Sequence, residues 1–369
     1  MTVAAGASAP RHLDALTGVR GIAAWAVVFY HLRASLVDLF PAQVIDILAK
    51  GYLAVDMFFV LSGFVLWYTY ADRLRESGGR ETGAFLWRRF ARIWPLHAFV
   101  LCAFIVYVTA TALRGGDNSA NPVGELPLHF LMIQNWGFTP ELTWNNPAWS
   151  ISTEWAASLL FPLFVIALRW DRMPRIMLPV AACGVIGMIH LVFVLGRAEA
   201  LGDQIPRLGL ARCILEFMLG NLACVMWRAW HKAPAAAPLA AIACGGILAA
   251  WSAFNLPEPL AIPAIFLTGI LALACDRGPV ARLLSTRPLM WLGEVSYSTY
   301  LVHVLAFLAF KIAFVDDSRQ IGWVGLAAFV AVLLVLSGAL YRTIEKPAQR
   351  WLNRHPPRVF RKPAPAASP

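Results

Sequence analysis

The chain has 369 residues, of which 59% are hydrophobic and only 14% charged. That balance excludes a water-soluble globular protein and implies a polytopic membrane protein. Its formal charge of +10 falls on basic residues between and beyond apolar runs, where membrane orientation requires them, so nucleic-acid binding is excluded.

Residues 1–10 lack a charged region ahead of a short apolar core and do not read as a cleaved signal peptide. Apolar runs near 16–38, 52–70, 92–113, 147–168, 176–195, 208–228, 236–254, 259–275, 291–312 and 321–342 predict an all-α bundle of about ten transmembrane helices. With the N-terminus inside, alternate connections gather 22 of the 31 Lys and Arg on the cytoplasmic side and 8 on the other, Arg20 lying within the first run. This asymmetry predicts that both termini are cytoplasmic and that the chain is multi-pass in the cell inner membrane. The membrane unit is expected over 1–352, with a proline-rich, disordered cytoplasmic tail over 353–369. Residues 114–146, rich in Gly, Asn and Pro, are expected to cover the outer mouth as a loop. The six cysteines include no Cys-x-x-Cys pair, so neither a disulfide framework nor a metal site is indicated.

The first apolar run carries two ionisable residues, Arg20 and His31. Such groups are costly in hydrocarbon and usually face a cavity. Eleven residues at about 100° each return to within roughly 20° of one face, about 16 Å further along, so both side chains line one groove. The competing reading is a positive-inside anchor at Arg20 and a packing histidine at His31. Depth then groups other residues. His31 lies roughly 22 Å up a core of about 30 Å, and Glu154, counted down from a helix start marked by Asn146 as N-cap and Pro147, lies near 20 Å. Asp56 and Glu216 fall at similar levels. A carboxylate facing a histidine holds its tautomer and raises its basicity, so Glu154 is the first candidate to orient His31 as general base. Each carboxylate could instead make a buried structural hydrogen bond.

At the opposite face, Arg88, Arg89 and Arg92 open the third run, a cluster suited to phosphates by bidentate hydrogen bonding, or alternatively a plain positive-inside flank. The stretch 293–303 has too many hydroxyls for a lipid-facing helix and places Tyr297 and His303 along the same cavity, although Ser and Thr also bond helices together.

These motifs together resemble acyltransferase family 3, integral membrane acyltransferases, from about Leu13 to Trp351. The residues that carry the likeness are LDALTGVRG at 13–21 continuing to His31, VDMFFVLSGF at 55–64, RRFARIWP at 88–95, WSISTE at 149–154, EFMLG at 216–220, LGEVSYSTYLVH at 292–303 and EKP at 345–347. The resemblance implies transfer of an acyl group, usually acetyl from acetyl-CoA, to a hydroxyl of a sugar or glycan-like acceptor. It implies that Arg20 and His31 are catalytic and that Arg88, Arg89 and Arg92 serve the donor. From the depth argument Glu154 is added as catalytic and Asp56 and Glu216 as substrate-binding, and from the hydroxyl-rich stretch 293–303 Tyr297 and His303 as substrate-binding. The resemblance implies the stand-alone type, without the extra hydrolase-like domain that some members carry. His31 acts either as general base or as a transient acyl carrier. Two rivals are weighed. An ion- or proton-coupled transporter would show related halves, which are not found. A non-catalytic glycan-binding partner should have lost Arg20 or His31. Acceptor and oligomeric state are not specified by the sequence.

Overall fold

The computed structural model describes residues 13–314 and 320–360; the expectation for 1–10 lies outside them. Ten helices of 18 or more residues follow one another: α1 (Asp14–Leu32), α2 (Ala54–Glu76), α3 (Thr82–Ala112), α4 (Ala148–Ala167), α5 (Met177–Gly196), α6 (Ile205–Trp230), α7 (Ala236–Phe254), α8 (Glu258–Cys275), α9 (Arg287–Phe314) and α10 (Trp323–Leu340). A π-helical turn at Tyr341–Glu345 leads on into α11 (Lys346–Arg354). No strand occurs among the described residues, as expected for backbone that must satisfy its own hydrogen bonds in lipid. Among these residues nine helices are long and apolar enough to cross a membrane. The tenth, α2, is not one of the nine, and charges crowd its last turns. Its apolar part, 54–71, carries Asp56 as its only charge.

The helices outrun the apolar runs at their charged ends. The third begins at Thr82, ten residues before the run at 92, because Arg and Leu are good helix formers and hydropathy registers only the part in hydrocarbon. The fourth starts at Ala148 with Pro147 in the capping position and no side-chain cap, so Asn146 does not cap it.

Two pairs of long helices each run in parallel at the centre. Thr17 meets Gly293 and His31 meets His303, which sets α1 alongside α9. On α2 and α6, Asp56 pairs with Arg212 and Asp72 with Arg228, again in parallel. Glycine makes this second contact possible: a Cβ on Gly63 would lie 2.0 Å from the Phe217 carbonyl oxygen, and one on Gly220 1.9 Å from that of Val60. Close backbone approach through small residues is the usual substitute for a hydrophobic drive between helices in lipid. By contrast, α7 buries no residue and packs chiefly on α8, a lipid-facing position.

The segment 113–147 is folded down rather than free. His97 Nε2 lies 2.8 Å from the His129 carbonyl, the Trp136 indole donates to the Ser152 carbonyl, and Asn145 donates to the Leu301 carbonyl. The tail expected to be disordered from 353 lies partly within the described residues. Trp87 donates to the Leu352 carbonyl and stacks on Phe360 at 5.4 Å between centroids, so residues up to 360 pack on α3. Residues 361–369 lie outside the described part.

Candidate active site

A cavity of about 400 Å³ enters the bundle beside the arginine cluster. Tyr70, Arg88, Gln349 and Asn353 line one end, and Val55, Ser150 and Tyr300 the other. Along α2 this spans fifteen residues, about 22 Å. The helix register of α3 points Arg88, Arg89 and Arg92 inward together, and all three line the cavity with Arg20.

The four cations are not equivalent. Arg89 donates to Glu154 at 2.6 Å and to Ser158 at 3.2 Å. Arg92 pairs with Glu345, whose other oxygen accepts from Ser298 at 2.6 Å, and lies 5.4 Å from the Tyr297 ring centroid. The π-helical turn at Tyr341–Glu345 places Glu345 here, buried at 2% exposure. Arg88 is different: its Nε and one terminal nitrogen are buried without an acceptor, its Tyr70 ring contact is 5.5 Å and Glu81 is 3.9 Å away. Arg20 makes no hydrogen bond or ion pair among the described residues, though the charges of Arg89, Arg92, Glu154 and Glu345 act on it. Orphaned buried donors are rare and ask for a ligand. Arg88 and Arg20 fit an anion such as a phosphate, while Arg89 and Arg92 are held in place by carboxylates.

Glu154 does not meet His31. It accepts from Ser62 at 2.8 Å and from Arg89, so its side of α4 faces α2 and α3, and its charge acts on Arg20. The partner of His31 is His303, whose Nε2 lies 3.2 Å from His31 Nδ1, with ring centroids 4.9 Å apart. His31 Nδ1 also lies 2.9 Å from the Val27 carbonyl, and His303 Nδ1 2.6 Å from the Tyr300 carbonyl. A ring nitrogen beside a carbonyl oxygen must carry its proton. His303 therefore holds its proton on Nδ1 and offers a lone pair at Nε2. His31 holds its proton on Nδ1, shared between Val27 and His303, which leaves the lone pair on His31 Nε2. That nitrogen has no partner among the described residues and is not enclosed. The tautomer that Glu154 was expected to impose is thus imposed by a backbone carbonyl and a second histidine. Tyr300 stands between this pair and the cavity, its ring 5.9 Å from His303 and 6.1 Å from Phe58, its hydroxyl bonded to Ser150 and Pro147.

Of the other expected substrate-binding residues, Tyr297 lines the cavity and donates to the Ile93 carbonyl at 2.7 Å. Asp56 and Glu216 do not line it. Asp56, wholly buried, is gripped by Arg212 through two hydrogen bonds of 2.6 and 2.5 Å. Glu216 is enclosed in the same cluster, with neither oxygen receiving a donor.

The comparisons with known proteins bear on this arrangement. A family model for an acyltransferase domain, of acyltransferase family 3, matches residues 13–342. The chain belongs to that family. It is 30% identical to acyltransferase MdmB of Streptomyces mycarofaciens, over 96% of each chain. It is 22% identical to the peptidoglycan O-acetyltransferase OatA of Listeria monocytogenes and 23% identical to O-acetyltransferase OatA of Staphylococcus aureus, over 92% of this chain. It spans 56% and 58% of the length of those two proteins. No solved structure matches.

As an acyltransferase embedded in a multi-pass helix bundle, the chain carries a polarised histidine pair on α1 and α9, two of the helices that also line the deep cavity. Two functional contacts escaped the sequence reading. The grip of Arg212 on Asp56 is one; Arg212 stands four residues, one helical turn, before Glu216, a spacing that signals a shared face. Glu345 was noted only within a motif; its approach to Arg92 depends on the π-helical turn, which leaves no sequence signal.

Proposed function

We propose that this acyltransferase moves an acetyl group from acetyl-CoA to a hydroxyl of a glycan or similar acceptor, in the inner membrane with both termini cytoplasmic. The observation that carries the reading is the cavity that runs from the orphaned donors of Arg88 at one end to Tyr300 at the other, whose ring packs 5.9 Å from His303 of the His31–His303 pair. Arg88 and Arg20 bind donor phosphates by charge-assisted hydrogen bonds, and Arg89 and Arg92, fixed by Glu154 and Glu345, shape the positive mouth. The lysine and arginine asymmetry places that mouth on the cytoplasmic side, where acetyl-CoA is available.

His31 Nε2 accepts the proton of the acceptor hydroxyl as the oxygen attacks the acyl carbonyl. His31 then gives that proton to the departing thiolate, so the imidazole returns to its starting state. Val27 and His303 stabilise the imidazolium that forms in between, by holding Nδ1–H. The same lone pair could accept the acyl group first, and pre-steady-state bursts separate the two sequences. Glu154 acts through Arg89 as a positioning residue. Asp56, through Arg212, holds α2 against α6.

The test uses the purified full chain in vesicles with radiolabelled acetyl-CoA, and mass spectrometry of glycans from cells with and without the gene. The reading expects an acetyl increment that requires the gene and label transferred from acetyl-CoA. Transfer from acetyl phosphate but not from acetyl-CoA, or glycans identical in both cells, refutes it.

A further inference from the structure

A second cavity, of about 660 Å³, lies at the histidine end of the bundle between the ends of α5, α7 and α8 and Lys50. The acyl-transfer machinery described above makes no use of it. Its wall is held rigidly. Glu258, 7% exposed, accepts from Lys50 Nζ at 2.7 Å, the Tyr52 hydroxyl at 2.5 Å and the Leu201 amide at 3.0 Å. Asp203 accepts from the Glu199 and Ala200 amides, and Arg212 fixes the Leu201 carbonyl. Burial and the Glu258 carboxylate hold the Tyr52 hydroxyl well above the ordinary tyrosine range, so it stays a donor at any working pH.

Against this frame stand polar groups with no protein partner. The half-buried Trp251 indole N–H and the exposed Ser252 hydroxyl, Asn255 amide and Glu199 carboxylate line the cavity and make no hydrogen bond among the described residues. His190 Nδ1 is buried without a partner. Lys50 Nζ lies 5.9 Å from the Trp251 ring centroid. Interfacial tryptophans commonly anchor helices in the headgroup layer, but this one forms part of a concave wall. Few convergent polar groups beside an apolar surface are the usual make-up of a small-molecule site, and the volume falls in the usual range.

The donor set narrows the ligand. The one ammonium is already paired with Glu258, so a phosphate would find no free cation. A fatty chain would leave four polar groups unbonded. A pyranose ring offers an apolar C–H face for the indole and hydroxyls that both donate and accept for Ser252, Asn255, Glu199 and His190. The site also communicates with the chemistry: the Tyr52 ring packs on Tyr30 at 5.5 Å, and Tyr30 on His31 at 4.9 Å.

We propose that this cavity is a carbohydrate subsite that holds a pyranose ring of the acceptor close to, but apart from, the hydroxyl acylated at His31. As an acceptor subsite it rests on the transfer reading above; as a pyranose site it does not. The probe is an array of linear oligosaccharides built from glucose, mannose and N-acetylglucosamine, exposed to the labelled full chain in nanodiscs. Saturable retention is expected on at least one pyranose chain, weakened at least tenfold by Trp251→Ala and largely kept by Trp251→Phe, which preserves the flat ring. No retention by the wild type overturns the proposal. So does equal retention by Trp251→Ala, or equal loss in both variants. Retention as expected, in a protein that transfers no acyl group, would remove the transfer reading and leave the sugar site standing.

Discussion

The α1–α9 contact is the joint on which the histidine pair depends, and Gly293→Ala tests it. A Cβ at position 293 would lie 1.9 Å from the Thr17 carbonyl oxygen and 2.6 Å from its carbonyl carbon, whereas ordinary contact begins at 3.4 Å. Neither atom can rotate away, so the helices must part locally by the difference, about 1.5 Å. His303 lies ten residues further along α9, about 15 Å. If half of the opening reaches it, the 3.2 Å contact between the rings widens to about 4 Å and is no longer a hydrogen bond. Overpacking of this kind costs about 1–3 kcal/mol of stability, whereas misplacing a reacting group by about 1 Å costs on the order of 10²-fold in rate. Gly293→Ala should therefore accumulate in the membrane but transfer acyl groups on the order of 10²-fold more slowly, with donor KM little changed. The assay is label transfer in vesicles at matched protein. Gly245→Ala on α7, where a Cβ meets nothing within 4 Å, is the control and should behave as wild type. Wild-type transfer by Gly293→Ala, or an equal loss in Gly245→Ala, refutes the reasoning.

Three further outcomes are expected. Arg88→Gln removes charge-assisted donors worth about 1.5–3 kcal/mol and should raise donor KM tenfold or more; an unchanged donor KM with a raised acceptor KM would reverse the assignment. Asp56→Asn removes the charged acceptor of the two Arg212 hydrogen bonds and leaves Glu216 as the carboxyl of the cluster, and should destabilise the protein by about 1.5–3 kcal/mol, read as a lower thermal midpoint in detergent. Unchanged stability with weaker acceptor binding would return Asp56 to a substrate-binding role. His129, outside the spans, is pushed down to about 4 from 6.5 by burial and then by the charge of His97. The folded state thus prefers neutral His129, so its contribution is complete above pH 6.5 and is lost as pH falls toward 4, by about 2 kcal/mol at pH 5. Hydrogen exchange, corrected for intrinsic rates, should show weaker protection of 113–147 at pH 5 than at pH 7, a difference abolished by His129→Gln; equal protection at both pH values contradicts this.

Helix positions were legible because an apolar run of bilayer length is a strong signal, and ten runs became ten long helices. Neither depth nor rotation about the helix axis was legible to the precision that decides partners: Glu154 meets Arg89 and Ser62 and its charge acts on Arg20, eleven residues before His31 on α1, while His31 faces His303. The information for the correct pair was nonetheless present. His303 stands sixteen residues into α9 and His31 seventeen into α1, about 24 and 26 Å, and the glycines at 18, 21 and 293 mark the two helices as close neighbours. The Arg92–Glu345 pair was hidden for a different reason. A π-helical turn shifts the register by one residue, and no residue type in Tyr341–Glu345 announces it.

The central claim is that the exposed lone pair of His31, set by Val27 and His303, performs the transfer. Its most direct test is label transfer from acetyl-CoA by purified, folded His31→Ala in vesicles, with membrane insertion and thermal midpoint matched to wild type. Loss of a positioned base predicts a fall of about 10²–10⁴-fold in rate. Transfer near the wild-type rate by folded His31→Ala would contradict the account.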